Sequence, residues 1–466
     1  MFFGRKKELK ELQAKIDSQS CELGIVYGIR QVGKTTLLKQ IIKKNKGIYF
    51  LADKTGIEKN LEKLSEQIVA YFKESFISPF RDYYSLFSFI LKKQNKKKKT
   101  FLLVIDEFSY LIKSDNAILS IFQKIKDEYL NGTNIKIILS GSHLGLMRDI
   151  DTFKEPLYSR TTFKLKIMPF DYVESALFYP NLRPVDKILF YSIFGGMPLF
   201  LSQIKKNQSL LYNLKNIFLT DPTKIERDFS FFLGEENRKS QNYEPLLKLL
   251  SSKKNFQLKD LSSSLKIPSS NLVFLLQNLE EMEIVEKEMN YNEKNKNSKK
   301  TNYSLKENYL KFYYHFIKPN LNHLVLMNHK KFYEIFIEPQ LEQFISFGFE
   351  KICRLFLIKK YQKKGTIINI GRFWENNASR GVNLEIDIIL SEIKQNLTLF
   401  ECKWTKQRVD FEVIKQLQNK LRQIENYDFV QNQKINLGFF SKNGFDQNIS
   451  KNKKYLLFTP QDLYKI

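Results

Sequence analysis

The sequence is poor in the residues that build disulfide scaffolds and thiolate or histidine sites. Its 466 residues include three cysteines, four histidines and two tryptophans. The cysteines (Cys21, Cys353 and Cys402) are odd in number and far apart, which argues against a disulfide framework and against a zinc site of the CxxC kind. With so few histidines, nothing indicates histidine-centred catalysis.

Long apolar segments are also missing. The sequence has no uncharged apolar run of about 18 residues, the length that a membrane helix needs. Its first residues lack the apolar stretch and the cleavage site of a secretory signal. We therefore expect a cytoplasmic protein without a membrane partner.

Acidic residues are outnumbered by basic ones. There are 50 Asp and Glu against 76 Lys and Arg, which gives a net charge of +26. Such an excess attracts polyanions, so we expect DNA as a partner. Lysine and asparagine are abundant throughout, however, as they are in proteins from AT-rich genomes, so composition alone explains part of the charge.

The first 175 residues alternate short apolar runs with helical segments. The runs are rich in Ile, Leu, Val and Phe and lack polar alternation, which is typical of strands buried on both faces of a parallel sheet. They cover residues 23–27, 48–52, 101–105, 135–139 and 162–167. This pattern predicts an α/β domain over residues 1–175, with a parallel sheet covered by helices.

The first of these strands leads into a loop that fits GxxxxGK(S/T) at every fixed position. The loop is Gly28-Ile29-Arg30-Gln31-Val32-Gly33-Lys34-Thr35, and Thr36 follows it in a predicted helix. Backbone amides of such a loop cradle phosphates at the helix N-terminus. Lys34 would bridge the β- and γ-phosphates and Thr35 would ligate Mg²⁺, so the motif predicts ATP and Mg²⁺ as cofactors.

Two other predicted strands end in polar residues. The strand at 101–105 is followed by Asp106 and Glu107, at the carboxyl end where open α/β sheets bind ligands. Asp106 would hold the Mg²⁺ shell, and Glu107 would orient or deprotonate the attacking water. The strand at 135–139 is followed by Ser140 and Ser142, either of which is placed to sense the γ-phosphate.

Together these motifs resemble the archaeal-type ATPase family, which is similar to the STAND branch of the AAA+ proteins. The segments Gly4-Arg5-Lys6-Lys7-Glu8-Leu9 and Gly195-Gly196-Met197-Pro198 also match that family. The resemblance implies a P-loop NTPase sheet of the ASCE type, with strand order 5-1-4-3-2, and a helical lid whose Pro198 lies near the adenine. It also implies that Arg160 acts on the γ-phosphate or in trans on a neighbouring subunit.

Four segments are predicted after the ATPase core. They are a helical lid at 176–242, three helices and a hairpin at 243–305, a helical connector at 306–339 and a mixed α/β domain at 340–466. Three helices and a hairpin are the layout of a winged helix, and the polar loop at 290–300 predicts a flexible wing tip. The third helix ends in glutamates and has few basic residues, which slightly favours a packing role over insertion into a DNA groove.

Near the C-terminus, two strand patterns are symmetric about Lys394. A hairpin centred there would set Asp387 opposite Glu401. Facing carboxylates repel each other and persist more readily around a cation such as Mg²⁺ or Mn²⁺. Lys403, on the same face as Glu401, would stabilise a metal-bound hydroxide or a scissile phosphate. Upstream, Glu350 lies in a mainly apolar helix, where an unpaired carboxylate is costly.

These residues resemble the PD-(D/E)xK nuclease superfamily, and a similar domain follows the ATPase in many archaeal-type members. The resemblance implies a restriction-endonuclease-like α/β fold, with Glu350, Asp387 and Glu401 as metal ligands and Lys403 as a catalytic residue. We predict ATP-controlled DNA processing with cleavage at this site. Two alternatives stay open. One is a STAND-type switch or scaffold that forms homo-oligomers in a nucleotide-dependent way and whose C-terminal domain binds without cleaving. The other is a winged-helix DNA-binding regulator.

Overall fold

The computed structural model describes residues 2–465 apart from 75–78, 98–99, 223–224, 226, 228–242, 294–299 and 378–381. The described chain divides into two compact units. The N-terminal unit is Met1–Pro169 with Met197–Leu199, and the C-terminal unit is Phe170–Gly196 with Phe200–Ile466. Residues 228–242 at the end of the predicted lid lie outside the described residues, and so do residues 294–299, which are most of the predicted wing tip. None of the described helices is both long enough and apolar enough to span a bilayer.

Five parallel strands form the sheet of the N-terminal unit. Their order across the sheet is β2-β3-β4-β1-β5, which confirms the order implied by the resemblance. β3 and β4 are buried along their whole length, which is why their sequences lack polar alternation. The strands are β1 Glu22–Tyr27, β2 Ile48–Leu51, β3 Phe101–Asp106, β4 Ile135–Gly141 and β5 Phe163–Lys166.

Helices connect these strands and cover the sheet. In the helix at 57–72, the buried residues recur every three to four positions and form the face that packs on the sheet. The helices are α1 Lys6–Ile16, α2 Lys34–Asn45, α3 Ile57–Phe72, α4 Tyr83–Lys97, α5 Ser109–Ser114, α6 Ala117–Ile125 and α7 Leu144–Asp149, with a further helical turn at Lys126–Leu130.

The parallel registers bring three strand ends to one edge of this sheet. Tyr27, the last residue of β1, pairs with Gly141 at the end of β4, and Ile105 of β3 pairs with Leu139. The segments that follow β1, β3 and β4 therefore lie side by side.

The C-terminal unit begins with helices that precede a small hairpin. Strands β6 (Val285–Met289) and β7 (Thr301–Leu305) are antiparallel and follow three helices, the order predicted for residues 243–305, here named the helix–hairpin segment. The helices are α8 Tyr172–Ser175, α9 Pro184–Phe194, α10 Pro198–Leu201, α11 Leu210–Leu214, α12 Tyr243–Ser252, α13 Leu258–Leu265 and α14 Ser269–Glu281, with turns at Ala176–Phe178 and Lys215–Leu219. The first two residues of α10 belong to the N-terminal unit.

The rest of this unit is built on a mixed five-stranded sheet in the order β12-β11-β10-β9-β8. β8, β9 and β10 are antiparallel to one another, whereas β10, β11 and β12 are parallel. The strands are β8 Ile367–Asn377, β9 Val382–Glu392, β10 Asn396–Lys403, β11 Lys434–Ser441 and β12 Tyr455–Phe458. The helices are α15 Asn308–Phe312, α16 Leu321–Leu326, α17 His329–Phe332, α18 Glu338–Lys364, α19 Phe411–Ile424, α20 Gln447–Ser450 and α21 Pro460–Leu463, with turns at Tyr313–Ile317, Lys318–Asn320 and Tyr333–Ile337.

The hairpin of β9 and β10 has the predicted register. Asn396 pairs with Glu392, and Phe400 pairs with Ile388, so the pairing is symmetric about Lys394. Lys394 and Gln395 both adopt a left-handed backbone, with φ of 63° and 57°, which closes a tight turn. Continuing the register by one residue sets Asp387 opposite Glu401.

A glycine of the predicted lid motif has no room for a side chain. The amide of Phe170 donates to the carbonyl of Gly196 at 2.8 Å, and a Cβ on Gly196 would lie 1.9 Å from the carbonyl oxygen of Phe170.

We expect Gly196→Ala to lower the free energy of unfolding by about 1–3 kcal/mol in urea denaturation, the usual cost of overpacking. At Gly145, in helix α7, an added Cβ meets none of the described atoms within 4 Å, so Gly145→Ala should leave stability unchanged or raise it by up to about 1 kcal/mol. Equal effects of the two changes would contradict this account.

Candidate functional site

The loop between β1 and α2 folds around the ammonium group of Lys34. This side chain is buried, and its Nζ donates to the carbonyl oxygens of Gly28 at 2.8 Å and Ile29 at 2.9 Å. Burial lowers the pKa of Lys34 to about 8, although the carboxylates of Glu107 and Asp106 act in the opposite direction. The structure thus holds a cation at the centre of the loop, close to two acids.

The glycines of this loop are required by its shape. A Cβ on Gly28 would lie 2.4 Å from the carbonyl oxygen of Ile167, and Gly33 has a φ of +95°, where other residues are strained. A Cβ on Gly33 would lie 3.7 Å from Cγ of Pro198, so the proline of the predicted lid motif lies beside the loop. The other predicted nucleotide-binding residues lie in the loop or the first turn of α2: Ile29, Arg30, Gln31, Val32 and Thr36.

Asp106, at the end of β3, joins the loop to the sheet. Its Oδ2 accepts hydrogen bonds from Thr35 Oγ1 and from the Tyr49 hydroxyl, both at 2.7 Å. Hydroxyl and carboxylate oxygens are the ligands that Mg²⁺ prefers, so these residues fit the predicted ion. Tyr49 was not predicted, because its place next to Asp106 follows from the pairing of β2 with β3, which no local motif marks.

Glu107 is held by a serine at the end of β4. Its backbone has a φ of 55°, and its Oε2 accepts a hydrogen bond from Ser142 Oγ at 2.8 Å. The hydroxyl of Ser140 is buried and makes no hydrogen bond within the described part of the chain. Of the two serines considered, Ser142 therefore contacts the predicted catalytic acid, and the nucleotide contact of Ser140 stays a prediction.

Arg160 does not reach the loop of its own chain. Its guanidinium lies 3.3 Å from Asp127 Oδ2 and donates to the carbonyl of Tyr158 at 3.1 Å. Two residues further along the chain, the backbone amide of Thr162 donates a hydrogen bond to the carbonyl oxygen of Leu23. Leu23 lies near the start of β1, at the opposite end of that strand from the loop. In this structure Arg160 thus lies away from the loop, and its contact with the γ-phosphate of the same chain stays a prediction. A role in trans stays a prediction.

A second arginine does contact the loop. Arg5, buried before α1, donates to the carbonyl oxygen of Val32 at 2.7 Å and to that of Met168 at 2.7 Å. It thereby ties the loop to the segment that follows β5. Arg5 lies in the family motif at residues 4–9, and the motif by itself indicates no role for it.

In the C-terminal unit, three carboxylates converge at the end of the β9–β10 hairpin. Glu350 of α18 and Glu385 and Asp387 of β9 each offer an oxygen, and these oxygens lie within 4.8 Å of one another. Asp387 also accepts a hydrogen bond from the backbone amide of Cys402 at 2.8 Å. The structure thus brings the predicted pair Glu350 and Asp387 together and adds Glu385, which lies two residues before Asp387 on the same strand.

Glu401 forms ion pairs that the sequence does not predict. Its carboxylate is buried, and its two oxygens accept hydrogen bonds from Lys403 and Lys420, both at 2.8 Å. Two lysines therefore hold Glu401, and Glu385 joins Glu350 and Asp387 in the group of three carboxylates. Lys420 belongs to α19, so the hairpin alone gave no reason to expect it. A metal contact of Glu401 stays a prediction.

Two cations accompany the carboxylate group. Lys254 Nζ lies 2.5 Å from Glu350 and 2.6 Å from Glu385, and Arg372 lies 2.7 Å from Glu385. Burial opposes ionisation of Glu385, but Lys254 and Arg372 outweigh it and lower its pKa to about 2.

Asp387 has the opposite electrostatic environment. Burial, together with the neighbouring carboxylates of Glu350 and Glu401, raises the pKa of Asp387 well above its usual range. A cavity of about 410 Å³ opens beside it, lined by the three carboxylates, Glu401 and Lys403 among others. Hard oxygen donors facing a cavity fit a divalent cation such as Mg²⁺ or Mn²⁺.

Two known families match separate parts of the chain. Residues 2–204 match a family described as an ATPase domain predominantly from Archaea. Residues 313–417 match a family of archaeal and bacterial proteins of unknown function. The second match covers the three carboxylates and attaches no chemistry to them.

Individual relatives match longer parts of the chain. An uncharacterized protein of Methanocaldococcus jannaschii is 30% identical over 409 residues, which are 87% of this chain and 88% of the relative. An uncharacterized ATP-binding protein of the same organism is 24% identical over 338 residues, 59% of this chain and 92% of the relative. The structure of a Walker-type ATPase of Pyrococcus abyssi superimposes with a TM-score of 0.52 at 20% identity, covering 67% of this chain and 96% of that one.

Proposed function

Because the chain belongs to the archaeal-type ATPase family, we propose that its N-terminal unit binds ATP with Mg²⁺ and hydrolyses the nucleotide. One arrangement carries the proposal. Thr35 Oγ1 and Asp106 Oδ2 meet at 2.7 Å at the sheet edge where the loop encloses Lys34. An ammonium group that would bind phosphate and oxygen donors that would hold a metal ion therefore lie next to each other, which supports the proposal.

The chain's own groups account for the steps of hydrolysis. Lys34 would exchange its hydrogen bonds to Gly28 and Ile29 for bonds to the β- and γ-phosphates. Thr35 and Asp106 would hold Mg²⁺, which neutralises charge that builds up on the phosphates. Glu107, oriented by Ser142, would take the proton from the attacking water.

The test of nucleotide binding is Lys34→Ala. Loss of a buried charged partner costs about 2–5 kcal/mol, so we expect ATP affinity to fall at least about thirtyfold, as measured by titration with a fluorescent ATP analogue. Lys44→Ala, an exposed lysine of the same helix, should bind ATP like the wild type. If Lys34→Ala binds ATP with wild-type affinity, the loop does not form part of the nucleotide site.

We further propose that the C-terminal unit holds a divalent cation and cleaves DNA. Support comes from Glu350, Glu385 and Asp387 around one point, from Lys403 in the wall of the same cavity and from the net charge of +26. Asp387 and its neighbours would bind the ion, and Lys403 would stabilise charge on the scissile phosphate. A bound metal ion would supply an activated water at neutral pH.

One cleavage assay separates this function from the alternatives. Supercoiled, linear and single-stranded DNA are incubated with Mn²⁺, with and without ATP. Nicks or breaks that need Mn²⁺ support a nuclease. Intact DNA at every metal concentration, together with nucleotide-dependent oligomers, would favour a switch or scaffold. DNA binding that is unchanged by Lys34→Ala, without cleavage, would favour a regulator.

A further inference from the structure

A lysine of the helix–hairpin segment lies among the carboxylates of the C-terminal site. Lys254 Nζ is within 2.5 Å of Glu350 and 2.6 Å of Glu385. Lys254 lies in the turn after α12, whereas Glu350 belongs to α18 and Glu385 to β9. Its side chain is 21% exposed. An ammonium group from one segment of the chain therefore bridges two acids from another.

The backbone of the turn fixes this placement. Two residues after Lys254, Phe256 pairs with Tyr303 of β7: its amide donates at 2.9 Å and its carbonyl accepts at 2.7 Å. The preceding residue, Lys253, is exposed. The two adjacent lysines thus have different surroundings, and the position of Lys254 is set by the hairpin on which the turn is anchored.

We propose that Lys254 is an internal competitor of the divalent ion, and that it keeps the C-terminal site closed to metal until its ammonium group leaves. This inference rests on the metal site of the proposed function. Mg²⁺ binds oxygen ligands at about 2.0–2.1 Å, and the position between Glu350 and Glu385 is the one that the ammonium group holds. Two cations held there together would repel each other strongly, since a buried site screens charge poorly.

The charges around the site assign this role to Lys254. Glu350, Glu385 and Asp387 contribute three carboxyl groups. Arg372 is shared between Glu385 at 2.7 Å and Glu288 at 3.6 Å, whereas Lys254 contacts both Glu350 and Glu385. Lys254 therefore supplies the charge that a metal ion would otherwise supply to Glu350.

A path for its departure lies beside the site. A lysine side chain is flexible and its ammonium group is strongly hydrated, and the cavity of about 410 Å³ is lined by Lys254 as well as by the carboxylates. A swing of the side chain into this cavity would expose Glu350 and Glu385 to the ion. Access of metal to the C-terminal site would then depend on the position of the Lys254 side chain.

The experiment measures Mn²⁺ binding to the nucleotide-free full-length chain, with free Mn²⁺ followed by electron paramagnetic resonance. We expect Lys254→Met to bind one Mn²⁺ at least tenfold more tightly than the wild type does, because the competing charge is gone. Lys254→Arg keeps the charge and should bind as weakly as the wild type. Lys253→Met is the matched control and should also behave like the wild type. The double variant Lys254→Met with Glu350→Gln should lose the added site.

Protein stability gives a second readout on the same variants. Mn²⁺ should raise the melting temperature of Lys254→Met more than that of the wild type, because a ligand at a given concentration stabilises the folded state more when its Kd is lower. Should Lys254→Met fail to fold, Lys254→Gln replaces it, with the same expectation. Mn²⁺ affinity within twofold of the wild type in a folded Lys254→Met or Lys254→Gln would overturn the inference. So would the absence of Mn²⁺ binding in every variant.

The inference and the proposed cleavage fail in different ways. Tighter Mn²⁺ binding by Lys254→Met with intact DNA would uphold the competition and reject the nuclease. Cleavage by the wild type that weakens in Lys254→Met, at unchanged Mn²⁺ affinity, would overturn the inference and make Lys254 a group that contacts the substrate phosphate.

Discussion

Glu107→Gln is expected to stop ATP turnover while ATP stays bound. Glutamine keeps the shape of the side chain and can still accept the hydrogen bond that Ser142 Oγ gives to Glu107 at 2.8 Å, but it cannot take a proton from water. General-base catalysis contributes about 10²–10⁴-fold, so kcat should fall by that factor. Phosphate release measures the rate, and the nucleotide retained after rapid gel filtration should be ATP instead of ADP.

Two further variants make this result specific. Glu128→Gln, at an exposed position of the same unit, should hydrolyse ATP like the wild type. Ser142→Ala removes one hydrogen bond to a charged group, worth about 1.5–3 kcal/mol, so it should lower kcat by about 10–100-fold without changing ATP affinity. Wild-type turnover in Glu107→Gln would show that another group activates the water. Wild-type turnover in Ser142→Ala would show that Glu107 is positioned without it.

The N-terminal site was predictable where its residues are neighbours in sequence. Lys34 and Thr35 follow one strand, and Asp106 and Glu107 follow another, so a pattern of a few residues identifies each pair. Tyr49 and Arg5 escaped prediction because their contacts depend on strand order and on long-range packing. Arg5 reaches a carbonyl oxygen 163 residues away, and no local pattern encodes such a distance.

The C-terminal site shows the same division between local and distant information. Symmetry about Lys394 predicted the hairpin register, because a short turn fixes the pairing of the strands next to it. The same reasoning could not predict that Glu401 is held by Lys420, which comes from a helix that packs on the hairpin. It also could not predict Lys254, which lies 131 residues before Glu385 and meets it through tertiary packing.

Asp387→Asn is expected to reduce Mn²⁺-dependent DNA cleavage by at least about a hundredfold, since the loss of groups that merely orient metal ligands already costs about 10–100-fold. Lys403→Ala should reduce cleavage similarly while Mn²⁺ affinity stays within about threefold, because Lys403 contributes charge and is not proposed as a ligand. Lys406→Ala, an exposed lysine just beyond β10, should cleave like the wild type. Nicking of supercoiled DNA on agarose gels measures all three.

The stability of Asp387→Asn shows whether a loss of cleavage comes from a lost active site or from unfolding, and the electrostatic environment of Asp387 predicts that stability. Burial and the carboxylates of Glu350 and Glu401 disfavour a charge on Asp387, so the neutral asparagine removes an unfavourable interaction. Its side-chain oxygen can still accept the amide of Cys402. Without metal, this variant should therefore melt at or above the wild-type temperature and should keep wild-type ATP turnover. Cleavage that survives in Asp387→Asn would mean that the three carboxylates do not form the nuclease site, whereas lost cleavage in a folded, ATP-hydrolysing variant would assign the reaction to them.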